Sequence, residues 1–405
     1  MNGHGPAATR FVVVGIGADG WAGLSGRARS ELTAASVVYG SVRQVALLPE
    51  SIAAQAISWT SPMSEHLQTV LSGEATDGDV VHLLASGDPM FHGLGSTVVK
   101  AVGADRVTVL PAPSSASLAA ARLGWDLAAL EVVSLVTAEP TTLIPALTDG
   151  ARVLVLSRDA DTPTQVAELL RNTGFGWSML SVLGELGGPD ESAVSGVARS
   201  WTVPDCPALN VVAIDCIGPI RRAAPGLPDD QFDHDGQLTK QTNRAVSVAA
   251  LAPGEGQLLW DVGAGAGSVG IEWLRQTRTA RAIAFEADPQ RADRIAANAR
   301  SHGVADRLTI AGAVPAALEA MPDPDVIFLG GGLDAQVLEL CLAALFDGGR
   351  LVANAVTLET EHLLVAAHAE HGGTLTRLSV ATAAPLGAMT AWRPALPVVQ
   401  WVMTR

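Results

Sequence analysis

Apolar residues recur along this chain in short runs, separated by stretches whose apolar positions repeat at helical spacing. In the first half the runs predict strands at residues 11–14, 80–85, 107–110, 131–136, 152–156, 178–183 and 209–214. Helical patterns at 25–35, 94–102, 114–123 and 164–171 separate several of them. Gly218-Pro219 then breaks the alternation, and residues 224–230 are rich in Pro and Gly with no period. Strands resume near 257–262, 281–285, 307–311, 325–329 and 350–355, with closing strands near 374–381 and 397–403. The alternation predicts α/β layers twice over. The expected organisation is one domain over 1–218, a linker over 219–228 and a second domain over 229–405. The two halves do not align with each other.

Composition narrows the function classes. With 48% apolar and 17% charged residues in 405, the chain has enough material for two cores. The longest apolar runs fall well short of a membrane span, and the first ten residues lack a signal-sequence layout, so a cytoplasmic location is expected. A net charge of −15 argues against binding to nucleic acid or anionic membranes, although a local basic pocket still permits an anionic substrate. Cys206, Cys216 and Cys341 match no zinc spacing, and the nine histidines form no paired helical motif, so no metal is expected.

The densest chemical signal lies at residues 258–286. An apolar run to Val262 opens into Gly263, Ala264, Gly265, Ala266 and Gly267, and a helical run follows. The G-x-G-x-G spacing differs from the G-x-G-x-x-G that cradles a dinucleotide pyrophosphate. The next strand ends in Glu286, about 20 residues on, where an acid accepts hydrogen bonds from both ribose hydroxyls. Ribose recognition without a pyrophosphate cradle points to S-adenosylmethionine. The turn at Ala313 and Val314 would then pass beside the adenine, and Gly330, Gly331 and Gly332 would border the sulfur.

Here the chain resembles known families. Gly226-Leu227-Pro228-Asp229-Asp230, Leu238-Thr239-Lys240, the glycine loop, Asn354-Ala355-Val356-Thr357-Leu358-Glu359-Thr360 and Pro385-Leu386-Gly387 are similar to the cobalamin-pathway methyltransferases that methylate C-15 of a tetrapyrrole and decarboxylate an acetate. These have a Rossmann-like class I methyltransferase fold. The first half resembles the two-lobed tetrapyrrole methylases, within them the group acting at C-5. It does so through Val12-Val13-Val14-Gly15-Ile16-Gly17, Ser86-Gly87-Asp88-Pro89-Met90-Phe91-His92-Gly93, Pro111-Ala112-Pro113-Ser114-Ser115 and Leu186-Gly187-Gly188-Pro189. End to end, the chain resembles the decarboxylating precorrin-6Y C5,15-methyltransferase family.

That resemblance implies two S-adenosylmethionine sites and a small-molecule tetrapyrrole substrate. Precorrin-6B would be methylated at C-5 and C-15 and decarboxylated to precorrin-8x, by a homo-oligomer. One site would be lined by Gly15, Gly17, Gly87, Asp88, Phe91, Ser114 and Ser115. The other would be lined by Thr239, Gly263 to Gly267, Glu286, Ala313 and Val314. Ala18-Asp19, Val136-Thr137-Ala138, Ala313 and Thr382 depart from the family pattern. Lys240 or Arg244 would position the acetate. Two readings compete: a first half that only binds or docks, and a nicotinamide oxidoreductase, against which the glycine spacing weighs.

Overall fold

The computed structural model describes residues 9–72, 80–202 and 205–405; most of the opening stretch read for a signal sequence lies outside them. The chain divides into two compact units, Met1–Ala138 with Ala146–Pro219, and Glu139–Pro145 with Ile220–Arg405. The second thus takes in a short segment that the sequence reading put in the first.

In the first unit β1 (Arg10–Ile16), β2 (Val37–Gly40), β3 (Gln55–Ser58), β4 (Val80–Ser86) and β5 (Val107–Leu110) form a parallel sheet in the order β3-β2-β4-β1-β5. Both faces are covered. Val12, Val14 and Ile16 pack with Leu24 and Leu32, while Phe11 and Val13 pack with Leu67, Leu83 and Val98 on the other side. Burial on two faces explains why β1 and β4 read as unbroken apolar runs. Ile16 pairs with Ser86, so β1 and β4 end side by side.

A second sheet follows in the same unit, from β6 (Glu131–Ser134), β7 (Arg152–Leu156), β8 (Met179–Gly184), β9 (Ser192–Val197) and β10 (Asn210–Asp215). Its order is β6-β7-β10-β8-β9, with only β6 and β7 parallel to each other. Ala116 and Ala119 of the helix Ser115–Leu123 let that helix lie close on Leu154, Leu183 and Val211.

The second unit holds β11 (Leu258–Val262), β12 (Arg281–Phe285), β13 (Leu308–Ala311), β14 (Val326–Leu329), β15 (Arg350–Ala355), β16 (Thr374–Leu378), β17 (Ala381–Leu386), β18 (Met389–Pro394) and β19 (Val398–Thr404). Seven of these form a sheet in the order β13-β12-β11-β14-β15-β19-β16, with β19 antiparallel to both neighbours. Strand order reverses between β11 and β14, and ligands of open α/β sheets bind beyond the carboxyl ends at such a point. The expected strand 374–381 stops at Leu378, and residues 381–394 form a separate hairpin, β17–β18.

Candidate active sites

In the second unit the glycine loop lies at the switch point. The amides of Gly263 and Ala264 donate to the Phe285 carbonyl at 3.0 and 3.1 Å, tying the loop to the end of β12. Gly263 has φ +69°, and a Cβ there would lie 2.0 Å from the Gly331 carbonyl oxygen, so only glycine lets the two loops meet. At Gly331 and Gly332 a Cβ would find open space.

Glu286 follows β12 directly. One carboxylate oxygen accepts the Gly265 N–H at 2.8 Å and the other accepts the Asp288 N–H at 3.0 Å. Each oxygen keeps a lone pair, which leaves an acceptor pair for a ribose diol. The turn after β13 carries Ala313, exposed, and Val314, partly buried against the core. Thr239 belongs to a strap over the loop, in which the Gln237 carbonyl passes 3.3 Å from where a Gly265 Cβ would be. Asn298 fastens the strap, donating to the carbonyls of Ala266 and Asp233 at 2.9 and 3.0 Å. Open space beside glycine turns and an acid aimed across the loop fit an adenosyl group.

Arg244 is a correction. Expected to touch substrate, it is fully buried. Its Nε donates to Glu272 at 2.6 Å, and Nη1 donates to Asp229 at 3.0 Å and to the Thr239 carbonyl at 2.5 Å. Nη2 donates to the Leu227 carbonyl, and the guanidinium lies 4.7 Å from the Phe232 ring. Glu272, also fully buried, accepts the amides of Gly226 and Leu227 with its two oxygens. Arg244 therefore locks residues 226–240 onto the helix Ser268–Leu274. Lys240 is exposed, with Asp229 at 3.9 Å, and remains open to a ligand.

Two features escaped the sequence reading. Asp261 sits buried at the end of β11, accepting the Gly270 N–H at 2.9 Å with one oxygen while the other has no partner. Burial pushes its carboxyl up to about 7, opposed by the Gly270 bond and assisted by the negative charge of Glu286. An acid inside the apolar run 258–262 was the available signal. The other is a buried knot in which the Ser247 hydroxyl accepts from Asn354 Nδ2 at 2.8 Å and from Gln400 Nε2 at 3.1 Å. It pins the helix Gln241–Leu251 to β15 and β19.

In the first unit the convergence is of main chain. A Cβ on Gly15 would lie 2.1 Å from the Gly87 carbonyl oxygen and 2.7 Å from the Ala112 amide nitrogen. Gly15 thus lets β1 meet the turn after β4 and the segment after β5. The Gly87 amide donates to Ile16 at 3.1 Å. Asp88 spends one oxygen on the Met90 N–H at 2.9 Å, which shapes the turn that carries the partly exposed Phe91. Ser114 caps the helix beginning at Ser115 by accepting the Ser117 N–H at 3.0 Å. Beside Gly17, the Asp19 carboxylate folds back into the space between Gly17 and Gly23. Gly15, Gly87 and Ser114 therefore share one corner, and Gly17 lies on the loop beside it.

Two units, each with a glycine-lined corner at the carboxyl ends of its parallel strands, have the frame of two unlike methyltransferases in one chain. Residues 10–200 match the family described as Tetrapyrrole (Corrin/Porphyrin) Methylases, and residues 230–405 match Precorrin methyltransferase domain. A Mycobacterium tuberculosis relative named precorrin-6Y C(5,15)-methyltransferase (decarboxylating) is 46% identical over 399 residues, covering 98% of this chain and 100% of the relative. One of the same name from Sinorhizobium sp is 45% identical over 401 residues, covering 98% and 96%. Among solved structures, the C-terminal domain of precorrin-6Y C5,15-methyltransferase from Rhodobacter capsulatus is 44% identical, covers 46% of this chain and 100% of its own, and has a TM-score of 0.44. The chain belongs to the decarboxylating precorrin-6Y C(5,15)-methyltransferase family.

Proposed function

We propose that this cytoplasmic enzyme methylates precorrin-6B at C-5 and C-15 and decarboxylates the ring C acetate, whose carboxyl group leaves as carbon dioxide and whose methylene carbon stays on the ring as a methyl, giving precorrin-8x. The observation that carries the reading is the presence of two differently built cofactor corners in one chain whose relatives align through both. S-adenosylmethionine, when bound, supplies an electrophilic methyl group. In the second unit Glu286 would hold the ribose, Gly263 to Gly267 would admit the cofactor backbone, and Ala313 and Val314 would flank the adenine. In the first unit Gly87, Asp88, Phe91, Ser114 and Ser115 would line the pocket, with Gly15 and Gly17 shaping it.

The protein's task is alignment. An electron-rich meso carbon is itself the nucleophile, so no side chain has to generate one. Holding two reactants in line is worth up to about 7–11 kcal/mol. Low polarity favours a transition state in which the sulfonium charge is lost. Lys240 would pair with the carboxylate of the acetate that is decarboxylated, an assignment supported by its exposed ammonium beside the strap. Self-association belongs to the same reading, supported by exposed Leu386, Met389 and Trp392 on the β17–β18 hairpin.

Incubating the full chain with precorrin-6B and methyl-labelled cofactor should give a product with two labelled methyls and one carboxyl fewer. A product labelled only at C-15 would reduce the first unit to a docking module.

A further inference from the structure

We infer that Arg43, with Ser86, forms the anchor for a tetrapyrrole side-chain carboxylate at the C-5 methylation site. The inference rests on the assignment of that reaction to the first unit. β2 and β4 are parallel neighbours, so the residues that follow β2 stand at the same sheet edge as the turn after β4. There Arg43 Nη2 donates to the Ser86 hydroxyl oxygen at 3.1 Å. Gln44 Nε2 donates to the same oxygen at 3.1 Å, and its own Oε1 accepts the Ser41 N–H at 2.8 Å. With two donors on its oxygen, the Ser86 hydroxyl proton points away from both, and Ser86 is exposed.

Arg43 differs from the other arginines bonded within this unit. Arg122 is spent on Glu191, Arg106 on the Thr9 carbonyl, Arg158 on the carbonyls of Val136 and Ala138, and Arg171 on the Ala198 carbonyl. Arg43 pairs with no carboxylate among the described residues, so most of its donors are unspent. An arginine fork beside a free hydroxyl proton is the donor set a carboxylate takes. Position selects the ligand. Gly15, Gly87 and Ser114 converge on the β1 and β5 side of β4, whereas Arg43 stands on its β2 side. The macrocycle, rimmed with acetates and propionates, has the reach to span both.

The test compares the full-length chain with Arg43→Gln, Arg43→Lys and Ser86→Ala. Label at C-5 and C-15 is followed separately by NMR, and S-adenosylmethionine binding by calorimetry. For Arg43→Gln, KM for the tetrapyrrole in the C-5 step should rise about tenfold to a hundredfold. Cofactor affinity and C-15 methylation with decarboxylation should hold, and Arg43→Lys should recover part of the loss. Cofactor binding intact in both units shows that the variants are folded. A fall in cofactor affinity without a change in KM would assign the arginine to the cofactor's carboxylate and overturn the proposal. An unchanged C-5 step would also overturn it. Wild-type chain that never labels C-5 would instead defeat the assignment of the reaction to this unit, and the anchor with it.

Discussion

In the C-terminal unit the candidate corner is built with side chains: Glu286 accepts from the glycine loop, and the buried Asp261 keeps one oxygen without a partner. In the N-terminal unit the corresponding corner is closed by backbone, with Gly15, Gly87 and Ala112 meeting at main-chain atoms and Asp88 occupied with its own turn. Both corners stand at the carboxyl ends of parallel strands. A site made of side chains can be weakened by degrees, because each contact is a separable hydrogen bond. A close backbone approach fails when a single methyl group is added, and the C-terminal corner combines both kinds of contact, since Gly263 also meets Gly331 at main-chain atoms.

The sharpest way to break that comparison is to add that methyl to each. Gly15→Ala should abolish C-5 methylation, since its Cβ would meet two backbone atoms within 2.7 Å. Gly263→Ala should do the same at C-15, against the Gly331 carbonyl. Losses on the order of a hundredfold or more follow from displacing the loops by about an ångström. Each should be confined to one labelled position in the product. Loss of both labels from either variant would mean that the two sites are not independent.

Stability separates the units next. Removing one partner of a buried ion pair costs about 3–5 kcal/mol, so Arg244→Met should lower the unfolding midpoint of the C-terminal unit markedly. Tetrapyrrole KM of the folded fraction should not change, because Arg244 holds Glu272, Asp229 and the strap. The double change Arg244→Met with Glu272→Leu should recover much of the loss. A raised KM at full stability would restore Arg244 to the substrate.

Much of this was legible in the sequence, and the failures have physical causes. The glycine loop and Glu286 are local, so the order strand, glycines, helix, strand, acid sufficed. β3 and β9 passed unnoticed because each has few apolar residues, and β2 because its apolar run is only Val37, Val38 and Tyr39. The β17–β18 hairpin falls between the two closing strands expected at 374–381 and 397–403, since its exposed Leu386 and Met389 break the burial pattern that apolar periodicity assumes. Arg244 was misplaced because Glu272 lies far along the chain, and a lone arginine on a helix reads as free until its partner is in view. Arg43 carried no motif; only the parallel pairing of β2 with β4 brings it to Ser86.

A smaller effect tests the buried charge of the C-terminal site. Burial pushes His302, tilted against Phe232 at 4.7 Å, down to about 4. The unfolded chain therefore binds more protons than the folded one between about pH 4 and 6.5, and stability rises with pH there. Asp261, pushed up to about 7, keeps a proton the unfolded chain releases, so its contribution falls across nearly the same window. The two oppose each other, and the wild-type profile should be shallow. Asp261→Asn should leave a profile rising by up to about 3 kcal/mol, and His302→Gln one falling by up to about 4 kcal/mol. Parallel profiles for all three proteins would show that neither group is shifted as its burial requires.

Two independent S-adenosylmethionine sites, one of them resting on Glu286, can be counted directly. Calorimetric titration of the full chain should give two cofactors per chain. Glu286→Ala, losing charge-assisted hydrogen bonds worth about 1.5–3 kcal/mol, should weaken one site by about one to two decades and leave the other unmoved. One cofactor per chain in the wild type, or two unaltered sites in the variant, would contradict the account.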